Sequence, residues 1–263
     1  MELTVNGRKA YAYTGGKTFD AALPTVIFAH GAQCDHSVWI LQSRYLAHHG
    51  YGVLALDLPG HGRSEGPALA SVDELADWIA ALVAAAGARS AAIVGHSMGS
   101  LIALECAARH PDRVAKIALL ATTYPMKVSA ELLDATRNNE PLAQDMVNIW
   151  SHYAYAQYPN NPGPGFWVIG ENLRLMQRQK PGVMPVDFAA CNAYGGGADA
   201  AAKVNCPALF LIAKRDVMTA ARSAQAFAQT VKGARVVMID GSGHNMMGEK
   251  PDEVLDALIE FLK

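Results

Sequence analysis

The residues best equipped for chemistry are Gly95, His96, Ser97, Met98 and Gly99, a serine with a glycine two positions away on each side. The apolar run from Ser90 to Val94 leads into it, and residues 100–110 read as a helix, so the serine stands at a strand-to-helix turn. A turn that tight leaves no room for side chains at the flanking positions and lifts the hydroxyl clear of the sheet. A serine hydroxyl attacks poorly unless a neighbouring base takes its proton and a third group holds that base in one tautomer. Of the nine histidines only His110, His152 and His244 follow Ser97, and only His244 stands in a glycine-flanked loop directly after an expected strand. For the orienting carboxylate, Asp216 directly follows a buried apolar run and leaves room for a helix and a strand before His244, whereas Asp240 lies too close to it. Ser97, His244 and Asp216 are therefore the candidate nucleophile, base and orienting acid.

Attack on a carbonyl places negative charge on its oxygen, which two backbone N–H groups must meet. Met98, the residue after the serine and the first of a helix, supplies one, helped by the helix dipole. The second belongs to the loop after the first central strand, where His30, Gly31, Ala32 and Gln33 offer a close-approach glycine and then a free amide. Ala32 is assigned that donor, with Gln33 as the alternative. Substrate contacts are expected from Gly31, Gln33, Tyr124, Trp150, Met218 and Asn245. The reaction these parts suit is acyl transfer.

The elements that must position these groups follow from periodicity. Residues 2–5 and 9–13 read as a hairpin around Asn6-Gly7, a favoured pair for two-residue turns. The uninterrupted β-branched and aromatic run at 24–29 predicts a strand buried on both faces, runs at 52–56, 114–121 and 208–213 predict further buried strands, 90–94 and 234–239 are read as strands as well, and the helical spacing between them predicts a parallel sheet. Helices are expected from Val38 to His49, Val72 to Ala86, Ala220 to Val231 with Thr219 as its cap, and Pro251 to Leu262. The glycine-rich loop from Asp57 to Ser64, which includes His61, is read as a turn that carries the chain under the sheet. Between Thr122 and about Val204 the alternation breaks, and about four helices are expected near 128–138, 141–157, 166–179 and 185–193. This stretch is rich in aromatic residues, among them Tyr124, Trp150, Tyr155, Tyr158, Phe166 and Trp167, as in a lid whose inner face makes an apolar pocket. The implied division is a core of residues 1–123 and 205–263 with a helical cap at 124–204.

Composition narrows the partners. With 263 residues and 51% hydrophobic content the chain can bury one large core with something grafted onto it. A net charge of −2, with scattered Lys and Arg, leaves no footprint for nucleic acid or an anionic membrane and favours a small neutral substrate. Residues 1–10 lack the apolar core of a signal peptide, and no run approaches the 18 apolar residues of a spanning helix. A cytoplasmic protein is expected. Cys34, Cys106, Cys191 and Cys206 show neither CxxC spacing nor a histidine pairing suited to zinc, so neither a metal site nor a disulfide framework is expected.

The motifs HG at His30 and Gly31, DLPGHGRS from Asp57 to Ser64, GHSMG around Ser97, the strand leading to Asp216 and GSGHN around His244 together resemble the α/β-hydrolase superfamily, in its branch with a helical cap after the sixth strand. The resemblance implies an α/β fold with an eight-stranded, mostly parallel sheet, an antiparallel second strand and no cofactor. It leaves oligomeric state open. The chain departs from the family where Ala213 stands at the position three before Asp216, commonly a glycine. Relatives with an aspartate in place of Ser97 open epoxides or cleave carbon–halogen bonds, so the serine favours a carboxylic ester as substrate. Carbon–carbon hydrolases of the meta-cleavage type and cofactor-free haloperoxidases or perhydrolases share the same parts. The former would need a cationic clamp, for which Arg174 or Arg178 is available. A ligand-sensing receptor with a vestigial triad is the alternative from another class.

Overall fold

A computed structural model of the chain describes residues 1–154 and 167–263. The chain opens with β1 (Glu2–Val5) and β2 (Arg8–Tyr13), joined through Asn6 and Gly7 at φ 50° and 76°. Two successive left-handed residues match the twist of a hairpin, which is why the Asn-Gly pair serves there. β3 (Thr25–Ala29) follows, then a short 3-10 turn (His36–Trp39) capped by the Asp35 side chain, α1 (Ile40–Ala47), β4 (Gly52–Leu56), α2 (Val72–Ala85), β5 (Ala91–His96), α3 (Met98–Arg109) and β6 (Val114–Leu120). Among the described residues five helices intervene: α4 (Ala130–Asn138), α5 (Glu140–Ser151), α6 (Val168–Gln177), α7 (Val183–Ala193) and α8 (Gly197–Lys203). β7 (Ala208–Ala213), α9 (Ala221–Ala228), β8 (Arg235–Ile239), α10 (Met246–Glu249) and α11 (Pro251–Leu262) complete the chain.

The eight strands form one sheet in the order β1-β2-β4-β3-β5-β6-β7-β8, with β2 antiparallel to both its neighbours and the remaining pairs parallel. This is the α/β architecture the apolar runs imply. β3, β4, β5 and β7 are buried at every position, as strands covered by helices on both faces must be. Alternate residues feed opposite layers: Ile27 and Ile93 pack with α2, α3, α8 and α9, whereas Val26, Phe28 and Val94 pack with Trp39, α1 and α11. Each fully buried Leu or Ile contributes about 1.5–3 kcal/mol, so the two layers fix the sheet and with it the loops at its carboxyl edge.

The stretch between β6 and β7 holds a small core of its own, built on Leu132, Ala143, Val147, Met176, Met184 and Phe188. Among the described residues it contains one helix more than the sequence implies, because the alanine-rich α8 has no pattern of its own and buries Ala200 and Ala201 in the main core. The carboxyl end of the expected helix at 141–157 and the rings of Tyr155, Tyr158 and Phe166 lie outside the described residues. Among the described residues no helix is long and apolar enough to cross a membrane.

Candidate active site

The turn between β5 and α3 shows what its glycines are for. A Cβ at Gly95 would run into the backbone of Gly99, and one at Gly99 into the carbonyls of Ala29 and His30. With strand and helix that close, Ser97 is held at φ 52° and ψ −116°, a conformation L-residues avoid and one that persists only where the surroundings impose it. Its backbone N–H donates to Leu120 O at 2.9 Å, and Ser100 Oγ donates to its carbonyl.

His244 follows β8 and Asp216 follows β7, so both arrive at the same sheet edge as Ser97. His244 Nδ1 lies 2.8 Å from Asp216 Oδ2, with both side chains buried. A ring nitrogen facing a carboxylate carries the proton. The proton on Nδ1 leaves Nε2 as the lone-pair nitrogen, for which no partner occurs among the described residues. Asp216 is otherwise saturated: Met218 N and Thr219 N donate to Oδ1 at 2.8 and 2.9 Å, and Thr219 Oγ1 donates to Oδ2 at 2.6 Å. Burial alone would push this carboxyl up, but the adjoining His244 ring and the Thr219 hydrogen bonds hold it well below the usual carboxylate range. Thr219 thus serves the acid and does not cap α9, whose N-cap is Ala220 without a side-chain bond. The backbone of His244 is fixed by His96, whose Nε2 donates to His244 O at 2.9 Å. Burial and the neighbouring His244 lower the His96 pKa to about 3, so it remains neutral.

Ser97 and His244 border one cavity of about 410 Å³. Gly31, Ala32, Met218 and Asn245 line it from the core side, and Trp150, Leu132, Met176 and Phe188 line it from the insertion. Two expected contacts are absent from its wall. Tyr124 packs its ring against Tyr194 and Phe227 and donates its hydroxyl to Gly195 O, so it fastens the insertion to the core. Gln33 is fully buried outside the cavity; its N–H donates to Asp187 Oδ2 at 2.8 Å, and its side chain donates to Glu140 and to Met176 O. That bond also removes Gln33 as the alternative oxyanion donor. The N–H groups of Met98, first in its helix, and of Ala32 make no described hydrogen bond beyond the site, and both residues stand beside Ser97 or along the same cavity.

Asp35, His36 and Asp57 bring three ligand-type groups within 4.8 Å of one another. Their oxygens are already engaged: Arg178, Gln179 and Ser37 donate to Asp35, and His36 and Arg63 donate to Asp57. Hydrogen bonds therefore account for this cluster without a cation.

Sequence reasoning passed over Thr219, Asp187, His61 and Glu249 as parts of the site's framework. The available signals were a lone acid in the apolar run of α7 and a histidine between two glycines.

A family model described as the alpha/beta hydrolase fold matches residues 24–251. The (E)-2-((N-methylformamido)methylene)succinate hydrolase of Acinetobacter baylyi is 24% identical across 98% of this chain and 95% of that protein. The pimeloyl-[acyl-carrier protein] methyl ester esterase of Chromobacterium violaceum is 29% identical across 91% of this chain and 94% of its own length. Among solved structures, the enol-lactonase from Burkholderia xenovorans LB400 has the same fold, with a TM-score of 0.87 at 22% identity, covering 100% of this chain and 99% of that one.

Proposed function

Because this chain belongs to the alpha/beta hydrolase fold family, we propose that it is a serine hydrolase that cleaves a small, uncharged, largely apolar carboxylic ester through an acyl-enzyme. The observation that carries this reading is the buried 2.8 Å pairing of His244 Nδ1 with Asp216 Oδ2 beside the cavity that Ser97 enters at its strained turn. In the reaction Ser97 Oγ attacks the ester carbonyl while His244 Nε2 takes its proton. Asp216 stabilises the imidazolium that results, and the ring passes the proton to the departing alcohol. Water then enters and attacks the acyl carbon while His244 takes its proton; the C–Oγ bond breaks, the ring returns the proton to Ser97 Oγ, and the acid leaves. The N–H groups of Met98 and Ala32 receive the oxyanion in both halves.

The cavity wall supports an uncharged substrate. Lys127 lies along it but donates to Asn192 O at 3.2 Å, while Arg178 is bound to Asp35 and Arg174 to Gln177 away from the cavity. The twelve residues outside the description contain no Lys or Arg. A substrate carboxylate, which the carbon–carbon reading requires, would meet Lys127 as the one Lys or Arg along this wall among the described residues, already donating to a backbone carbonyl. The insertion acts as the cap over the acyl group, and the free thiols of all four cysteines suit a reducing cytoplasm.

Replacement Ser97→Ala is expected to lower turnover of p-nitrophenyl esters by roughly 10⁴-fold or more and to abolish labelling by an alkyl phosphonate, with an unchanged far-UV spectrum. Undiminished turnover in that variant would overturn the mechanism.

A further inference from the structure

We propose that Asp187 and His61, remote from the reacting atoms, are positioning residues that hold the oxyanion loop, so that the wall of the acyl pocket and the Ala32 amide are set by one helix. The inference rests on the serine-hydrolase reading and deepens it.

Asp187 lies on α7, inside the insertion, and is 1% exposed. Its Oδ2 accepts two hydrogen bonds at 2.8 Å, one from Gln33 N in the oxyanion loop and one from His61 Nε2 in the loop after β4. One carboxylate oxygen therefore joins three segments of chain: the insertion, the loop after β3 and the loop after β4. His61 is equally buried, and its other nitrogen, Nδ1, lies 3.0 Å from Pro59 O. Both ring nitrogens face acceptors, so both carry protons and the ring is an imidazolium. Burial opposes that charge, but the Asp187 carboxylate and its hydrogen bond more than offset it and raise the pKa. The ring packed 4.8 Å away, His30, is neutral: burial and the His61 charge lower its pKa to about 4. Its Nδ1 donates to Gly31 O and its Nε2 accepts from Leu58 N.

The loop is consequently pinned on both sides of residue 32. Gly31 O is tied to His30 and to Cys34 N, and Gln33 N is tied to Asp187. Gln33 itself sits at φ 56°, left-handed for a residue with a side chain, and such a conformation persists only when neighbours over-determine it. Asp187 is the neighbour that holds its amide. The next residue along α7, Phe188, and Cys191 one turn later border the cavity. An acyl group pressing on that wall therefore presses on the anchor of the oxyanion donor.

The test uses the full chain with p-nitrophenyl butyrate, each rate divided by the sites titrated with phosphonate. Asp187→Ala is expected to lower kcat about 10- to 100-fold with KM within about threefold, a part of the loss seen when an oxyanion donor is removed outright. Affinity for an alkyl boronic acid, whose tetrahedral serine adduct puts an oxygen in the same place, should fall in proportion to kcat. Asp187→Asn should restore most of both, since its amide oxygen, standing in the place of Oδ2, can accept both from Gln33 N and from the Nε2–H of a neutral His61. Should the alanine variant fail to fold, Asp187→Glu replaces it: the charge pair survives, the oxygens move, and kcat falls. A titrated kcat and boronate affinity within twofold of wild type in the alanine or glutamate variant would overturn the proposal. So would an asparagine variant as impaired as the alanine one, or a loss confined to the titratable fraction. Ser97→Ala, run alongside, isolates the underlying reading: turnover surviving there refutes the serine mechanism whatever Asp187 does.

Discussion

Two of the buried carboxylates that stitch the insertion to the core, Asp187 and Glu249, are built differently. On the side of the loop after β3, Asp187 Oδ2 pairs with His61 Nε2 at 2.8 Å. On the histidine side Glu249 of α10 accepts from Tyr153 N and Gly243 N, both at 2.8 Å, and from Ser242 Oγ at 3.4 Å. It forms no ion pair among the described residues. Burial pushes its carboxyl up to about 7 while the two amides pull it back. Beside it the backbones are pressed together: Asn245 N donates to Ser151 O at 2.8 Å, and the Asn245 side chain meets His152 Nε2 at 3.0 Å. The contrast teaches that a buried acid paired with a histidine has a partner for its charge where it sits, whereas burial pushes one held by neutral amides up to about 7.

The largest consequence lies on the Glu249 side. A carboxyl whose pKa rises from 4.5 to about 7 on folding binds its proton more tightly in the native state. Its stabilising contribution is fully present below the unfolded value and is lost as pH rises through about 7. The stability of wild type minus that of Glu249→Gln should therefore fall between pH 5 and pH 8, by on the order of 3 kcal/mol, in urea titrations across that range. Parallel curves for the two proteins would erase the contrast between the seams. Next in size is Gly243→Ala. Its Cβ would come within 2.8 Å of Tyr153 N and 3.0 Å of Ser151 O, overpacking that typically costs about 1–3 kcal/mol. The urea midpoint should drop accordingly and kcat with it, because the neighbouring residue is His244. A midpoint equal to wild type would mean that the two backbones have slack. The smallest effect is expected outside both seams. Arg174, exposed and, among the described residues, bonded through its side chain to Gln177, should tolerate alanine within about 0.5 kcal/mol and leave KM for a neutral ester unchanged. A large rise in KM would assign a substrate-binding cation to α6.

Much of the scaffold was legible in the chain because buried parallel strands write themselves as apolar runs and glycines mark the tight turns. β3, β4, β5, β7 and the serine turn belong to that class; β6 and β8 also read as strands, but β6 carries Lys116 and the edge strand β8 exposes Arg235 and Val236. The antiparallel course of β2 came with the family resemblance, since periodicity carries no strand direction. What escaped depends on which way a side chain points after packing. Tyr124 reads as a pocket ring but spends its hydroxyl on Gly195. Gln33 reads as a substrate contact but is turned into the insertion, and only its φ of 56°, invisible in sequence, makes that possible. Thr219 reads as a helix cap, an economical use of a hydroxyl, yet its hydroxyl is committed to Asp216. The pairing of Asp187 with His61 spans 126 positions, and no local pattern announces a contact of that separation.

The turn at residue 97 carries a further consequence. Its unusual dihedral angles are enforced by the glycines beside it and by the carbonyls they press against, with no help from the hydroxyl. The scaffold therefore presents whatever side chain is written there, and a cysteine or an aspartate at that position inherits the same pose. Exchanging one reactive group for another becomes a single-residue edit, and thermal unfolding of such a variant should track the parent's even where its chemistry does not.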